Sequence, residues 1–303
     1  AGKTTVAVKA MATAQKMAGQ LPRLTYKRAD LSQIKPLTGR VGMLDVEHAF
    51  TPAVAQIHGL QMGKGSGFFF DQPNSGEEAL QKLEMMVHSN LFDIIVVDSV
   101  AGLTTLEEEK KDIGETVMAG TAQLMSSALK KLVKAINRSR TVVIFINQIR
   151  EKPAVMYGSP ETTPGGRALK FYASMRIRVS KGESIMEGST QVGHRLKMDI
   201  RKNKVAPPFE KAEIDLYYRP AKGKEAGFDT WSSFIEVAQK TGVVELRGSS
   251  YQYVDKTTGE VHKAQGLVKW KQYLEENPHV YDMIMAELFE EEIQHVTEQD
   301  QQE

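Results

Sequence analysis

The feature that most constrains this chain is a set of three apolar segments, each ending in polar residues. VGMLD leads to Val46 and Glu47, LFDIIVV leads to Asp98 and Ser99, and TVVIFI leads to Asn147 and Gln148. Continuous apolar runs bounded by polar residues read as strands buried on both faces of a parallel sheet. In an open α/β sheet, ligands bind outside the carboxyl ends of the strands, so these polar ends are expected to converge on one crevice. Ala1-Gly2-Lys3-Thr4-Thr5 reads as the tail of a phosphate-binding loop, whose full form is G-x-x-x-x-G-K-[ST] preceded by a strand. Neither the leading glycine nor that strand is in the sequence, so the chain is expected to be a fragment cut inside the loop. A phosphate cradle, a carboxylate for a metal, a second carboxylate for water and an amide sensor make a nucleotide-hydrolysing centre.

Bulk properties narrow the class less than the motifs do. At 303 residues the chain can bury a full core, with one large domain and one small one as the natural division. Its 39 basic and 38 acidic side chains nearly cancel, so net charge does not mark a nucleic-acid binder. Their distribution says more. Arg195 to Lys204 holds five Lys/Arg against Asp199 alone, while Glu287 to Glu303 holds seven acids and no Lys/Arg. A basic interior stretch with an acidic tail suits a phosphate-bearing partner, although a solvated face and a frayed terminus explain the charges equally well. The absence of cysteine excludes a disulfide framework and thiol chemistry, in keeping with a reducing compartment. No run approaches the ~18 apolar residues of a membrane span and no secretory signal is present, so the chain reads as soluble and cytoplasmic.

Along the chain, residues 4–19 read as a helix, with Val6, Val8, Ala10, Met11, Ala14 and Met17 apolar. Ser75 and Glu78 match a capping box opening a helix that carries Leu80, Leu83 and Val87. Leu124, Ala128, Leu132 and Ile136 recur every four residues, which predicts another packed helix. Residues 149–166 hold three Pro and three Gly, so they read as a long loop of the functional or disordered kind. Period-two segments at Ser174–Ser180, Arg195–Ile200 and Ala212–Tyr218 predict antiparallel strands. Pro220 to Gly227 reads as a linker, followed by a smaller unit with helices near 231–240 and from Val268 onward. The expected architecture is therefore α/β: a nucleotide-binding core over 1–226 with a central, mostly parallel sheet, and a small α+β domain over 227–303 with an acidic tail.

Each site residue has a bland reading beside the sharp one. Lys3 and Thr4 would put an ammonium on the β/γ-phosphates and a hydroxyl on Mg²⁺, with Gly2 allowing close backbone approach; short Gly-Lys-Thr strings also arise by chance. Asp98 is expected to help hold the metal, or else to cap a turn. Glu47 is expected to orient or deprotonate the attacking water, or else to be a surface acid beside His48. Gln148 would sense the γ-phosphate and move the following loop, or merely satisfy backbone at a strand end.

At this point the chain resembles the RecA-type recombinases, bacterial or phage. The strings that carry the resemblance are GKTT at 2–5, LDVEHAF at 44–50, IIVVDSVAGLT at 94–104, VIFINQIR at 143–150, GSPETTPGGRALKFYAS at 158–174 and RKNKVAPPF at 201–209. The resemblance implies a RecA-like fold in which Ala1, Gly2, Lys3, Thr4, Thr5 and Asp98 bind ATP with Mg²⁺. It implies that Glu47 activates water and that Gln148 couples the γ-phosphate to the loop at 149–166. That loop (Ile149, Arg150, Val155, Met156, Tyr157, Gly165, Gly166) and one at about 105–119 (with Met118) would hold single-stranded DNA along a filament axis. Lys202 and Lys204 match lysines that reach the ATP of the neighbouring subunit, and Lys170, Phe171 and Arg176 fall at the family's subunit interface.

The departures are local. Thr51 and Val54 stand where the family has Asp and Tyr near the adenine, implying looser base recognition. Gln123 replaces an Arg that helps contact DNA, and Pro153 replaces a bulky apolar side chain for which Val155 or Met156 would substitute. The function implied is a DNA-dependent ATPase that assembles filaments on single-stranded DNA and exchanges strands with homologous duplex. The alternatives are a hexameric helicase-like motor on the same fold, or a recombination mediator that does not hydrolyse ATP.

Overall fold

The structure is a computed structural model and describes residues 2–20, 36–112, 120–151 and 161–299. Contacts divide the chain into two compact units. The first holds the N-terminal helix, residues 31–180 and Ile200–Asn203; the second holds Lys181–Asp199 and Lys204–Glu303. The 226/227 boundary read from the sequence lies inside the second unit.

The first unit is built on a parallel sheet of β1 (Val41–Asp45), β2 (Phe68–Asp71), β3 (Ile94–Asp98) and β4 (Val142–Phe145), in the order β2-β1-β3-β4. The strand period of two sorts its side chains cleanly. Val41, Met43, Ile94, Val96, Ile144 and Ile146 face α1 (Lys3–Lys16) and Ala55 of α2 (Pro52–Ile57). Leu44, Ile95, Val97, Val143 and Phe145 face α3 (Gly76–His88) and, further along the chain, the long helix Gly120–Ser139. Helices thus cover both faces, as apolar strands require. The edge position makes β4 less buried than its sequence predicts: it pairs with β3 alone among the described strands, and Val142 is exposed.

Capping differs in detail from expectation. Ser75 Oγ accepts from the Glu78 amide at 3.2 Å, but the Glu78 carboxylate accepts from the Asn74 amide rather than from Ser75. A fully reciprocal box occurs instead at Thr105 and Glu108, opening the short α4 (Leu106–Glu109). The beginning of the expected 105–119 loop is therefore helical. α5 (Gly120–Ser139) buries Met125, Leu129, Leu132 and Ala135, while Leu124, Ala128 and Ile136 flank that face. At the foot of the 149–166 loop, β5 (Arg150–Glu151) pairs antiparallel with β6 (Glu161–Thr162), and α6 (Ala168–Tyr172) follows.

Two of the antiparallel strands are longer than predicted, β7 (Met175–Glu187) and β8 (Thr190–Asn203), while β9 (Lys211–Tyr217) matches the expected length shifted by one residue. The supposed linker is ordered. Ala221 and Lys224 bridge each other, Ala221 is buried, and β10 (Gly227–Phe228) extends the sheet along β9. In the second unit, α7 (Thr230–Lys240), the meander β11 (Glu245–Arg247), β12 (Ser250–Val254) and β13 (Val261–Gln265), and α8 (Leu267–Glu276) and α9 (Pro278–Gln299) surround a core centred on Trp270, Leu274 and Ile284. That meander escaped the sequence reading.

Leu83 of α3 is fully buried between α3, α5 and the sheet. Leu83→Ala is expected to cost about 2–5 kcal/mol, the range for core leucine truncations, read as a lower midpoint in denaturant unfolding with unchanged slope.

Candidate nucleotide site

The strand parity that builds the core also aims the polar ends. Asp45 and Asp98 continue the α1-facing rows of β1 and β3 and lie in register with each other. Both are buried. Gly2 takes a left-handed conformation (φ 82°) at the start of α1 and accepts the Val6 amide, so the helix begins directly after it. Two residues on, Thr4 Oγ1 donates to Asp98 Oδ2 at 2.5 Å. The expected meeting of hydroxyl and carboxylate is therefore present.

Burial pushes the Asp98 carboxyl above its ordinary value; the Thr4 hydrogen bond opposes this, Glu47 and Asp45 push it further up, and Lys3 pulls it down. A carboxylate taken from water and crowded by two others favours a cation beside it. No group of three or more His, Cys, Asp or Glu arranged to hold a metal by itself occurs among the described residues. The donor set fits a Mg²⁺ that takes one or two protein oxygens and completes its shell with phosphate and water. Thr4 and Asp98 are the residues that would hold it.

Glu47 sits on the turn after β1. Its amide and that of Val46 donate to the Asp98 carbonyl at 3.2 and 2.7 Å. Its side chain is exposed, yet Oε1 accepts from both Ser99 Oγ and Gln148 Nε2, the latter at 2.9 Å. Among the described residues Oε2 accepts none, which leaves that oxygen for a water. Glu47 is thus an exposed acid with two side-chain donors on one oxygen. Gln148 is linked onward: its amide donates to Asn147 Oδ1, and Asn147 Nδ2 donates to the Pro164 carbonyl at 3.0 Å. One strand end thereby touches Glu47 and the far end of the loop together.

Sequence reasoning left the role of Asp45 unassigned. Its carboxylate accepts from the amides of Ala49 and Phe50, at 3.3 and 3.0 Å, and from Gln72 Nε2 at 3.0 Å. It thus ties the 46–50 turn, which carries Glu47, to the end of β2. Its place in register with Asp98 is the signal that could have found it. Gly102 was missed too: a Cβ there would press on Glu47 Cγ and the Val46 carbonyl, each at 3.3 Å.

The remaining expected residues divide. A cleft beside α1 and α2 is lined by Thr4, Thr5, Val8, Phe50, Thr51 and Val54. Ile149, Arg150 and Gln123 are exposed. Gly165 is buried, and a Cβ on it would strike Val100 at 2.6 Å; one on Gly166 would lie 2.8 Å from the Ala122 methyl. These glycines let the loop's end pack closely on Val100 and on Ala122 and Met125 of α5. Phe171 is 71% exposed on α6 and Arg176 is partly buried. Lys202 Nζ donates to the carbonyls of Lys170 and Phe171, at 3.0 and 2.9 Å. Lys204 is exposed. Ala1, Met118, Pro153, Val155, Met156 and Tyr157 lie outside the described residues.

With this geometry in hand, comparison with known proteins is decisive. The profile of the RecA N-terminal domain family matches residues 1–223. The chain belongs to the RecA family. It is 39% identical over 289 residues to Protein RecA of Halalkalibacterium halodurans, covering 95% of this chain and 73% of that protein. Against Protein RecA of Bacillus subtilis the identity is 40%, with coverages of 95% and 73%; for Lactobacillus johnsonii it is 40%, with 95% and 71%. RecA membership makes the chain a recombinase of the DNA-dependent ATPase class, acting in homologous pairing and repair, over the ring-motor and mediator alternatives. No helix among the described residues is long and apolar enough to cross a membrane.

Because the folded Asp98 carboxyl is raised, the metal-free protein gains stability from protonating it and loses that contribution as pH rises. Asp98→Asn is therefore expected to raise the melting temperature of the metal-free protein at neutral pH and to flatten this acid-side dependence, while abolishing ATP turnover. Calorimetry at several pH values checks the first part. A melting temperature lower than wild type would mean that the carboxylate is structural.

Proposed function

We propose that the chain hydrolyses ATP between adjacent protomers of a filament on single-stranded DNA, and that nucleotide state sets its grip on that strand. The observation that carries this reading is the arrangement around Glu47. One carboxylate oxygen is fixed by Ser99 and Gln148, beside the Thr4–Asp98 pair.

Residues 1–5 cradle the phosphates, with Lys3 as the ammonium and the amides after Gly2 at the positive end of α1. Thr4 and Asp98 hold Mg²⁺, which when bound offsets phosphate charge. Glu47 orients a water through Oε2 and takes its proton. Gln148, which donates to Glu47, exchanges that contact for the γ-phosphate and shifts Asn147 and the loop root at Pro164 with it. The cleft at Thr51 and Val54 takes the base.

Ile149 to Gly166, with the 105–119 segment, forms the DNA path; Gly165 and Gly166 serve it by anchoring the loop's end. Lys202 and Lys204 serve the neighbouring protomer's ATP, and Lys170, Phe171 and Arg176 form the contact between protomers. Homologous duplex DNA is the second partner. Residues 1–226 form the ATPase core, 227–303 an appended domain, and the site of action is the cytoplasm.

Two substitutions in the intact protein test this. Lys3→Ala is expected to abolish ATP-dependent binding to single-stranded DNA, and unchanged strand exchange would reject the phosphate-loop assignment. Glu47→Gln keeps the acceptor for Ser99 and Gln148 but removes the base, so turnover should fall by about 10²–10⁴-fold while ATP-dependent filaments persist in electron micrographs. Normal phosphate release by that variant would leave Glu47 a purely structural role.

A further inference from the structure

The turn that carries Glu47 is held from outside its own strand. Asp45 is 1% exposed; the Ala49 and Phe50 amides donate to its Oδ1 and Oδ2 at 3.3 and 3.0 Å, and Gln72 Nε2 donates to Oδ2 at 3.0 Å. The last torsion of an aspartate is broad, so two backbone donors, one of them long, set its plane loosely and a third fixes it. Gln72 is itself exposed, where water would satisfy its amide, yet that amide faces the carboxylate. Its own place is fixed. It follows β2 directly, Asp71 before it pairs with Lys82 of α3 at 2.5 Å, and the Asn74 amide beyond it donates to Glu78 at 2.9 Å. β2 also meets the turn through Phe50, whose ring lies 4.9 Å from that of Phe70 and 5.9 Å from that of Phe68. Midway along the turn, His48 has φ 55°, a left-handed conformation that a residue other than glycine keeps only where its surroundings hold it.

We infer that Gln72 is a positioning residue for ATP hydrolysis: by fixing Asp45 it holds the 46–51 turn, whose two ends serve two parts of the nucleotide. The inference rests on the roles proposed above for Glu47 and for the cleft. Near the start of the turn stands Glu47, with Oε1 on Ser99 and Gln148. At its end Ala49, Phe50 and Thr51 form one wall of the cleft. Both amides bonded to Asp45 belong to that wall, so a shift of the carboxylate moves the wall directly and Glu47 through the residues between. Affinity for the nucleobase and placement of the attacking water are therefore set by one hydrogen-bond network, and they fall together when Gln72 is lost. The phosphate cradle stands apart from this network, since Gly2 and Thr4 are placed by α1 and Asp98.

The test uses the intact protein and three readouts: single-strand-dependent turnover, affinity for ATP, and affinity for inorganic tripolyphosphate, which has no nucleobase. Gln72→Met, of similar length but without a donor, is expected to lower kcat by about threefold and ATP affinity by about threefold, together about the worth of one hydrogen bond to a charged group. Tripolyphosphate binding should stay at its wild-type strength. Gln72→Glu, of the same shape as glutamine, should lose at least as much, because it sets a second carboxylate against Asp45. Wild-type behaviour in either variant overturns the inference. A fall in kcat with ATP affinity unchanged, or the reverse, also overturns it, since the two ends of the turn would then be set separately. Equal weakening of ATP and tripolyphosphate overturns it too, leaving Gln72 as a support for the whole site. Wild-type protein without any ATP turnover would reject the function proposed above and this inference with it.

Discussion

The rest of the site depends on one buried carboxylate. Asp98 ends a strand of apolar, mostly buried residues, so its charge has left water with the Thr4 hydroxyl as its one direct side-chain partner among the described residues. Burying such a group is costly unless it is paired. The sheet compounds the cost by placing Asp45 and Glu47 nearby, both of which make Asp98 harder to ionise. Lys3 is the counterweight the chain supplies. A cluster of this composition is unfavourable for folding and favourable for cations and for the positive end of a helix. That trade is common where a site's chemistry, not its stability, sets the residues.

Geometry then follows from the pairing of β1 with β3. Because Asp45 and Asp98 are partners in register, the first residues beyond β1 reach the Asp98 carbonyl and the chain turns there. Asp45 folds that turn over itself through the Ala49 and Phe50 amides. Glu47 is consequently fixed by backbone at its base and by Ser99 and Gln148 at its tip. In the role proposed for Glu47, a carboxylate held at both ends is pre-oriented, which is where positioning contributes to rate. Gly102 leaves the space that this requires.

Much of this was legible from residues. The apolar runs gave β1, β3 and β4, whereas the placing of Asp45 and Asp98 on the α1 side emerges only from the folded sheet. Other parts were hidden for identifiable reasons. β2 (Phe68–Asp71) is short and partly exposed, so it lacks the buried-strand signature, and the β11–β13 meander mixes Lys, Gln and Tyr along strands open to solvent on one face. Pro220 to Gly227 has the composition of a linker, but Ala221 and Gly227 are buried by tertiary contacts that composition does not encode. The Ser75–Glu78 pair fits the capping pattern, yet the carboxylate reaches Asn74, one residue earlier. Lys202 is the clearest case, since no local pattern ties it to carbonyls some thirty residues before it.

The glycines at 165 and 166 fix the end of the segment that leads into α6. Both have positive φ, and a side chain at either would collide with Val100 or Ala122. Close packing there means that the loop end cannot drift by degrees; it is seated on α5 or it is displaced. The Asn147 bond to Pro164 enters this seat from the nucleotide side, while α6 leaves it toward Lys202 and Phe171. Gln148, through Asn147, and Lys202, through the α6 carbonyls, thus both connect to the same packed junction. Under the function proposed above, this junction is where the nucleotide site and the DNA path would meet.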